Sequence, residues 1–369
     1  VFGRPKRTIT VFSSIADVAD SLRSSVVSTS KATIPTLQDV PHILEIEDDA
    51  LSDNGGIVQF DPQKLSLETK TKLQESEILV TEPPVFSAIL HHDGNLQKTF
   101  PNLKWCQFTY AGVDSLKPSW KDLLVQSNIT LTRFAGTFGP PMAEWCIGRI
   151  IAHERQFDVT HQHQRQKIWR VTNYRCLSDL TVVILGCGEI GSCIAKAAKA
   201  MGMTTVGYVR RTLPTRSHFD SCTTNLSEAL SQADYIVSVL PSTNETRGLL
   251  NHDKLKACIN RTTTSQEDGK EQERQPPVFI NVGRGDIIND GHLLQAFDKH
   301  YISAAILDVF AAEPLPSTSP LWNHPKVTIS PHVSGLTRAS DVPDLVMDNF
   351  KRYAEGKPLL YKIDYEKMY

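Results

Sequence analysis

Leu180-Thr-Val-Val-Ile-Leu-Gly-Cys-Gly-Glu-Ile-Gly191 is the stretch that decides the fold. Its first six residues are almost continuously apolar, which is typical of a central parallel strand buried on both faces. Three glycines follow, and a helical pattern begins at once. This order predicts a dinucleotide site rather than a simple tight turn: Gly186 permits the turn, Gly188 admits a pyrophosphate, Gly191 allows close helix packing, and the first helical N-H groups, at Glu189 and Ile190, hold the anion.

The next predicted strand, Thr204 to Val209, indicates which dinucleotide is bound. An acidic residue about 20 positions after the glycines would bind the adenosine ribose of NAD, but Val209 occupies that place. Arg210, Arg211 and Thr212 follow and supply two cations and a hydroxyl where a ribose 2'-phosphate would lie. The sequence therefore predicts NADP(H) in preference to NAD(H). The alternative is an ordinary solvated strand end.

Short β-rich runs alternate with helix-like segments along the chain, which predicts an α/β fold with parallel sheets. A break at Gly136-Thr-Phe-Gly-Pro-Pro141, followed by one long helix from Met142 to about Gln166, indicates a hinge between two domains. A last amphipathic helix is predicted from Asp341 to Gly356. The predicted strands are Thr8 to Ser13, Glu77 to Thr81, Leu103 to Tyr110, Ile129 to Phe134, Leu180 to Leu185, Thr204 to Val209, Tyr235 to Leu240, Val278 to Val282, Ala304 to Val309 and Val327 to Ser330.

The segment between Cys258 and Pro277 has almost no apolar residue. Such a composition predicts a disordered or mobile surface loop. Its role is left open, and we expect catalysis to survive its deletion if the loop is passive.

The composition excludes several classes of partner. A formal net charge of -2 gives no field that would draw the protein onto nucleic acid or anionic lipid, and no apolar run approaches the roughly 18 residues that span a bilayer. Seven cysteines without a CxxC pair are typical of thiols in a reducing compartment. We therefore expect a cytoplasmic protein with a small-molecule partner, while leaving room for an organelle-targeting peptide ahead of residue 1.

Two histidine clusters and one cysteine are given no function. His91-His92 and His161-Gln-His163 lack a matching ligand set, so no metal site is expected. Cys187 lies inside the glycine-rich turn, where a small residue is all that the position needs.

Three further segments, each at the end of a predicted strand, carry residues that can do chemistry. Since ligands bind outside the carboxyl ends of parallel strands, these segments should converge on the crevice of the glycine-rich turn. They are Asn281-Val-Gly-Arg-Gly-Asp286, Leu307-Asp-Val-Phe-Ala-Ala-Glu-Pro314 and Ser330-Pro-His-Val-Ser-Gly335.

With these motifs in order and spacing, nearly the whole chain resembles the D-isomer-specific 2-hydroxyacid dehydrogenases, and the stretch from Glu313 to Pro325 is similar to their glyoxylate/hydroxypyruvate reductase branch. The resemblance implies that Arg284, Glu313 and His332 form the active site and that Asp308 binds the nicotinamide carboxamide. It also implies two Rossmann-like or flavodoxin-like domains, with a nucleotide domain at 139–335 inserted into a substrate domain at 1–138 and 336–369, and a homodimer with a contribution from the arm around Trp169.

Elementary chemistry agrees with those roles. Reduction of a 2-oxo acid needs a cation for the substrate carboxylate, which Arg284 supplies through its forked guanidinium. It also needs a proton donor, which His332 provides when Glu313 keeps the imidazole charged and oriented. Singly, each residue has an ordinary structural explanation, as a surface ion-pair partner, a turn cap and a loop histidine. Their joint occurrence at three strand ends favours catalysis.

The remaining expected contacts surround the same crevice. Tyr110-Ala-Gly-Val-Asp114 matches the family's substrate loop, and its N-H groups at Ala111, Gly112 and Val113 can cradle a carboxylate, unless the segment is a simple turn. Further cofactor contacts are expected at Leu240, Pro241, Val282 and Gly283.

The predicted activity is NADPH-dependent reduction of glyoxylate or hydroxypyruvate, with glycolate or D-glycerate as the product. One alternative is a family member that acts on a bulkier 2-oxo acid. The other is a nucleotide-sensing binding protein that resembles the corepressors of this fold.

Overall fold

The computed structural model describes residues 7–32, 40–54, 57–211, 217–259, 262–264, 271–273 and 275–365. The chain divides into two compact units, the first formed by Val1–Ala135 with Thr337–Tyr369 and the second by Gly136–Leu336. The boundaries expected near residues 139 and 335 lie close to these divisions. Within the described ranges, every helix is too short or too polar to span a bilayer.

The N-terminal part of the first unit alternates strands with helices. The strands are β1 (Thr8–Val11), β2 (His42–Glu45), β3 (Leu51–Asn54), β4 (Ile57–Phe60), β5 (Ile78–Thr81), β6 (Trp105–Phe108) and β7 (Thr130–Thr132). Five of them form a parallel sheet in the order β2-β1-β5-β6-β7, and β3 pairs with β4 as an antiparallel hairpin. The helices are α1 (Val18–Ala32), α2 (Leu67–Glu75), α3 (Pro83–Asp93), α4 (Leu96–Thr99) and α5 (Lys121–Gln126).

Aromatic side chains fill the core of the first unit. Phe86 on α3 stacks on Phe100 with ring centres 5.2 Å apart and meets Phe108 of β6 edge-on at 5.6 Å. All three rings are buried. Because aromatic rings bury large apolar areas, this cluster fixes α3 against the sheet. It thereby also positions the segments that follow β5 and β6.

The second unit is a doubly wound α/β domain. Its strands are β8 (Thr181–Leu185), β9 (Thr204–Tyr208), β10 (Ser221–Thr223), β11 (Tyr235–Ser238), β12 (Thr262–Thr264), β13 (Glu271–Glu273), β14 (Val278–Asn281), β15 (Ala304–Leu307) and β16 (Val327–Ile329). Its helices are α6 (Gly139–Glu154), α7 (Phe157–Arg165), α8 (Glu189–Ala200), α9 (Leu226–Leu230) and α10 (Asp290–Asp298).

A seven-stranded parallel sheet with the order β10-β9-β8-β11-β14-β15-β16 forms the centre of this unit. The chain winds outward from β8 in one direction and then from β11 in the other. The switch point therefore lies between β8 and β11, where open sheets of this kind bind their ligands.

The last helix, α11 (Val342–Ala354), belongs to the first unit and packs against α1. Asn349 anchors it, because its side-chain amide donates to Gln107 Oε1 at 3.0 Å and its carbonyl oxygen accepts from the Leu360 N-H at 2.7 Å. The helix predicted from Asp341 to Gly356 is thus present.

The parallel α/β fold is confirmed, and the structure corrects three local predictions. The single helix expected from Met142 to Gln166 is broken into α6 and α7, because Gln156 adopts a left-handed φ of 50°. The polar segment expected to be a loop contains the antiparallel ladder β12-β13, whose first strand is made of β-branched threonines. The sequence analysis also missed β2, β3, β4 and β10, which are short and lack a long apolar run.

A buried charge network holds the arm after α7 to the second unit. The Glu154 carboxylate accepts from Arg175 at 2.5 and 3.1 Å and from the Tyr235 hydroxyl at 2.7 Å, and Arg175 also lies 3.5 Å from Asp234. Burial alone would raise the pKa of Glu154, but hydrogen bonds from His153, Arg175 and Tyr235 and the charge of Arg175 lower it to about 2. The carboxylate is therefore stabilised in its ionised form.

Replacing Arg175 by Met should lower the free energy of unfolding by about 3 to 5 kcal/mol, because it leaves a buried carboxylate without its cation. Urea unfolding measures the loss, and Arg170→Met, at an exposed position of the same arm, is the control.

Acid should weaken the unmodified protein through the same group. The pKa of Glu154 is about 2 in the folded protein against an ordinary 4.5. Its contribution to the free energy of unfolding is therefore complete above about pH 4.5 and is lost as the pH falls towards 2. For the two variants above, coincident urea unfolding curves of Arg175→Met and Arg170→Met would contradict a stabilising role of the Arg175–Glu154 ion pair.

Candidate active site

The glycine-rich turn connects β8 to α8 at the switch point. Gly186 has a φ of 106°, which only glycine adopts without strain. A Cβ on Gly191 would lie 2.0 Å from the Gly186 carbonyl oxygen, so the turn and the helix need a residue without a side chain there. A Cβ on Gly188, the cap residue of α8, would meet nothing within 4 Å. The backbone at Gly188 is thus open to a ligand, and the turn fits a pyrophosphate held at the N-terminus of a twelve-residue helix.

The residues expected at the 2'-phosphate lie directly after β9. Val209 is buried and donates its N-H to the Thr223 carbonyl at 3.0 Å. Arg210 and Arg211 are both exposed, and Thr212 lies outside the described residues. The two guanidinium groups can therefore reach a solvent-facing anion at this end of the sheet.

The residues after β11 pack against the glycine-rich turn, and the residues after β14 pack against those after β11. A Cβ on Gly186 would lie 3.1 Å from Leu240 Cδ2, and a Cβ on Gly283 would lie 2.7 Å from the Leu240 carbonyl oxygen. Val282 is buried and donates its N-H to the Ser238 carbonyl at 3.1 Å, while Pro241 is exposed. The structure thus brings together the expected contacts after β8, β11 and β14.

Asn281 fixes the loop that carries Arg284. Its side chain accepts from the Gly283 N-H at 3.2 Å and donates to the Arg284 carbonyl at 3.0 Å, and it is almost fully buried. A Cβ on Gly285 would lie 1.9 Å from the Phe310 carbonyl carbon, so this loop packs directly on the one that follows β15. Arg284 itself is half-buried.

Glu313 and His332 form a direct pair. The ring atom His332 Nδ1 lies 2.8 Å from Glu313 Oε2, and the second oxygen of Glu313 accepts from the Phe310 N-H at 2.8 Å. Burial raises the pKa of Glu313, but the hydrogen bonds from His332 and Phe310 and the charges of His332 and Arg284 outweigh it, so the pKa is lowered. Since an ionised carboxylate accepts only, Nδ1 carries the proton and Nε2 is left for a substrate.

Asp308 holds the loop that carries His332. Its carboxylate is fully buried and accepts from the Ser330 hydroxyl at 2.5 Å, the Val333 N-H at 3.0 Å and the Ser334 N-H at 2.8 Å. Its carbonyl oxygen accepts from the His332 N-H at 2.8 Å, and His332 has a left-handed φ of 55°. This positioning role is additional to the expected contact with a nicotinamide, which stays a prediction.

The substrate loop lies in the first unit, directly after β6. Val113 is buried, and Ala111 and Gly112 are half-buried. The Tyr110 carbonyl accepts from the Phe134 N-H at 2.9 Å and the Val113 carbonyl accepts from the Leu116 N-H at 2.9 Å, so both ends of the loop are fixed. Carboxylate binding by this loop stays a prediction.

Sequence reasoning missed the residues that position the catalytic candidates. Asn281, Ser330 and Ser334 stood inside the quoted motifs without a role. The available signal was a small polar residue at a strand end, next to a loop that must adopt one conformation. Which N-H groups such a side chain binds cannot be read from the spacing.

Known proteins of one family are similar to this chain. Residues 147–334 match the family model described as D-isomer specific 2-hydroxyacid dehydrogenase, NAD binding domain. A curated relative, glyoxylate/hydroxypyruvate reductase A of Citrobacter koseri, is 29% identical over 259 residues, which cover 69% of this chain and 78% of the relative.

Solved structures are similar over the full length. A D-isomer specific 2-hydroxyacid dehydrogenase family protein from Aeromonas salmonicida superposes with a TM-score of 0.75 at 32% identity, covering 98% of this chain and 99% of its own. An NADPH-dependent glyoxylate/hydroxypyruvate reductase from Sinorhizobium meliloti, solved with NADP and sulfate, superposes with a TM-score of 0.70 at 23% identity, covering 99% of this chain and 100% of its own.

Replacing Asp308 by Asn should lower kcat by about 10- to 100-fold, because an amide has one acceptor oxygen and cannot bind both loop N-H groups, so His332 shifts. The unpaired buried N-H should also cost about 1 to 3 kcal/mol of stability. Steady-state kinetics separates this role from cofactor binding.

A positioning role lowers kcat with the KM for the nicotinamide cofactor little changed, whereas a dominant carboxamide contact would raise that KM and contradict it. Asp298→Asn, at an exposed carboxylate near the end of α10, is the control.

Proposed function

The chain belongs to the D-isomer-specific 2-hydroxyacid dehydrogenase family, and from this premise we propose that it uses NADPH to reduce glyoxylate or hydroxypyruvate to glycolate or D-glycerate. Family membership makes it a nicotinamide-dependent oxidoreductase that acts on small hydroxy and oxo acids. The choice of substrate and of NADPH, and the role of each residue, form the proposal.

One observation carries the proposal: the 2.8 Å pair of His332 and ionised Glu313 shares its strand-end edge with Arg284. Arg284 binds the carboxylate of the oxo acid and polarises its carbonyl. His332 donates the proton from Nε2 to the carbonyl oxygen, and Glu313 keeps the ring oriented by accepting a hydrogen bond from Nδ1. The glycine-rich turn holds the dinucleotide, whose nicotinamide supplies the hydride when bound. We propose in addition that the N-H groups at Ala111, Gly112 and Val113 bind a substrate carboxylate.

The proposal that the substrate is glyoxylate or hydroxypyruvate rests on two similar proteins. The Citrobacter koseri relative is a glyoxylate/hydroxypyruvate reductase, and so is the Sinorhizobium meliloti structure with NADP. A bulkier 2-oxo acid and a nucleotide-sensing binding role are the competing functions. Oxidation of NADPH with glyoxylate, hydroxypyruvate, pyruvate and an aromatic 2-oxo acid separates all three, because a binding protein would turn over none of them.

We also propose a cytoplasmic homodimer. The segment from Phe157 to Tyr174 exposes several large apolar side chains, and Trp169 is 100% exposed. Such a patch favours burial against a second copy. The seven cysteines of the sequence contain no CxxC pair, which is typical of thiols in a reducing compartment. Light scattering would return twice the mass of the chain for the dimer.

Replacing His332 by Gln should lower kcat by about 10²- to 10⁴-fold with little change in NADPH affinity, because Gln keeps the size of the side chain but gives up no proton. Single-turnover kinetics and a fluorescence titration with NADPH measure the two effects. His161→Gln, at an exposed position of α7, is the control and should match the unmodified enzyme. Near-normal turnover by His332→Gln would refute the proposed mechanism.

Removing the two strand-end cations should change the choice of cofactor. We expect a higher kcat/KM with NADPH than with NADH, and Arg210→Ala with Arg211→Ala should lower the NADPH value by at least about 10-fold, since charged hydrogen bonds to phosphate contribute about 1.5 to 3 kcal/mol each. Turnover with NADH should change little. Val209→Asp should favour NADH, because the new carboxylate accepts from the ribose hydroxyls and repels a 2'-phosphate.

Arg170→Ala removes an exposed cation from the arm and serves as the control. Equal or better turnover of the unmodified enzyme with NADH would overturn the cofactor proposal.

A further inference from the structure

Two cysteine thiols converge on one point beside the glycine-rich turn. Gly207 lies in the middle of β9, and a Cβ built on it would lie 2.4 Å from Cys187 Sγ and 2.9 Å from Cys222 Sγ. Since both sulfurs surround the same point, they are separated by at most the sum of these two distances, which is about 5 Å. Both residues are thiols in the structure.

The fold explains why the two thiols meet. Gly207 pairs with Cys222 of β10 on one side and with Ile184 of β8 on the other. Cys187 follows β8 and turns back over β9, where its thiol lies 3.6 Å from the Tyr208 carbonyl oxygen. Any side chain at position 207 would fill the space between the sulfurs, so glycine keeps it open.

We infer that Cys187 and Cys222 form a disulfide under oxidation and that this bond controls the dinucleotide site. A disulfide needs the sulfurs about 2.05 Å apart, so they must approach each other by roughly 3 Å or less. Rotation of the Cys222 side chain and a small shift of Cys187 can supply this movement. Cys187 is flanked by Gly186 and Gly188, whose backbones tolerate displacement more readily than those of other residues.

The chemistry follows from the exposure of the two thiols. Cys222 is exposed and Cys187 is buried, so a hydroperoxide meets Cys222 first. The peroxide oxidises that thiol to a sulfenic acid and leaves as the alcohol or as water. The Cys187 sulfur then attacks the sulfenic sulfur, the S-S bond forms, and the hydroxyl leaves with the thiol proton as water. A dithiol reductant reverses the step.

The expected consequence rests on the proposed use of a nicotinamide dinucleotide. Cys187 lies between the residue that makes the tight turn and the cap of α8, so pulling it towards β10 moves the N-H groups that hold the pyrophosphate. The oxidised protein should therefore bind NADPH more weakly. By linkage, bound NADPH should disfavour the disulfide at equilibrium by the same factor by which the disulfide weakens binding.

The test treats the full-length protein with hydrogen peroxide and maps disulfides in its peptides by mass spectrometry without reduction. We expect a peptide pair that joins Cys187 to Cys222 and a Kd for NADPH at least about tenfold higher, restored by dithiothreitol. Cys222→Ser should keep the NADPH affinity of the reduced protein and should not respond to peroxide. Cys176→Ser removes another exposed cysteine and should respond like the unmodified protein.

Two results would overturn the inference: oxidation of Cys222 without a bond to Cys187, or formation of that bond with NADPH affinity unchanged. Disulfide mapping needs neither a 2-oxo acid nor turnover. A reduced protein that binds NADPH but reduces no oxo acid would therefore refute the proposed function and leave this inference standing.

Discussion

All seven strands of the central sheet of the second unit run in the same direction, and the candidate site depends on that constraint. A parallel sheet has its carboxyl ends at one edge, so loops from distant parts of the chain meet there without any contact in sequence. The turn at Gly186 lies 98 residues before Arg284, which lies 48 residues before His332, yet the three loops follow the parallel strands β8, β14 and β16. The order of the strands, rather than any single contact, makes one site out of three motifs.

Direction alone does not orient a side chain, and buried polar groups do that work here. The carboxylate of Asp308 is fully buried and accepts hydrogen bonds from the loop that carries His332. The side chain of Asn281 is hydrogen-bonded in a similar way to the loop that carries Arg284. Burying such groups is costly unless each is hydrogen-bonded. Once bonded, they leave a loop a single low-energy conformation. In this way the loop holds His332, whose backbone is left-handed, in one orientation.

Features that depend on neighbouring residues in the sequence could be predicted, whereas features that depend on contacts distant in the sequence could not. The apolar run before Gly186 and its glycine spacing were enough to predict a buried parallel strand and the helix after it, because both patterns are local. Gln156 ended a predicted helix early, since glutamine rarely adopts the left-handed φ of 50° that it has here and its residue type gives no signal for it. Among the described residues, the strand Ser221–Thr223 lies at the edge of its sheet and pairs with β9, so its polar sequence gives little indication of a strand. The pairing of Glu313 with His332 was predicted from the chemistry of the reaction. The hydrogen-bond partners of Asp308 were not predicted.

The glycine-rich turn combines requirements that other parts of the site keep separate. It must be rigid enough to hold a charged ligand by backbone N-H groups, and Gly191 provides rigidity by packing against the Gly186 carbonyl. It must also leave room for an approaching anion, which Gly188 does. The residue between Gly186 and Gly188 faces inward, against β9, so its side chain is hidden from the ligand but is coupled to the backbone that binds it. The disulfide that we infer at that buried position would therefore act on ligand binding through the main chain, without any contact between the side chain and the ligand.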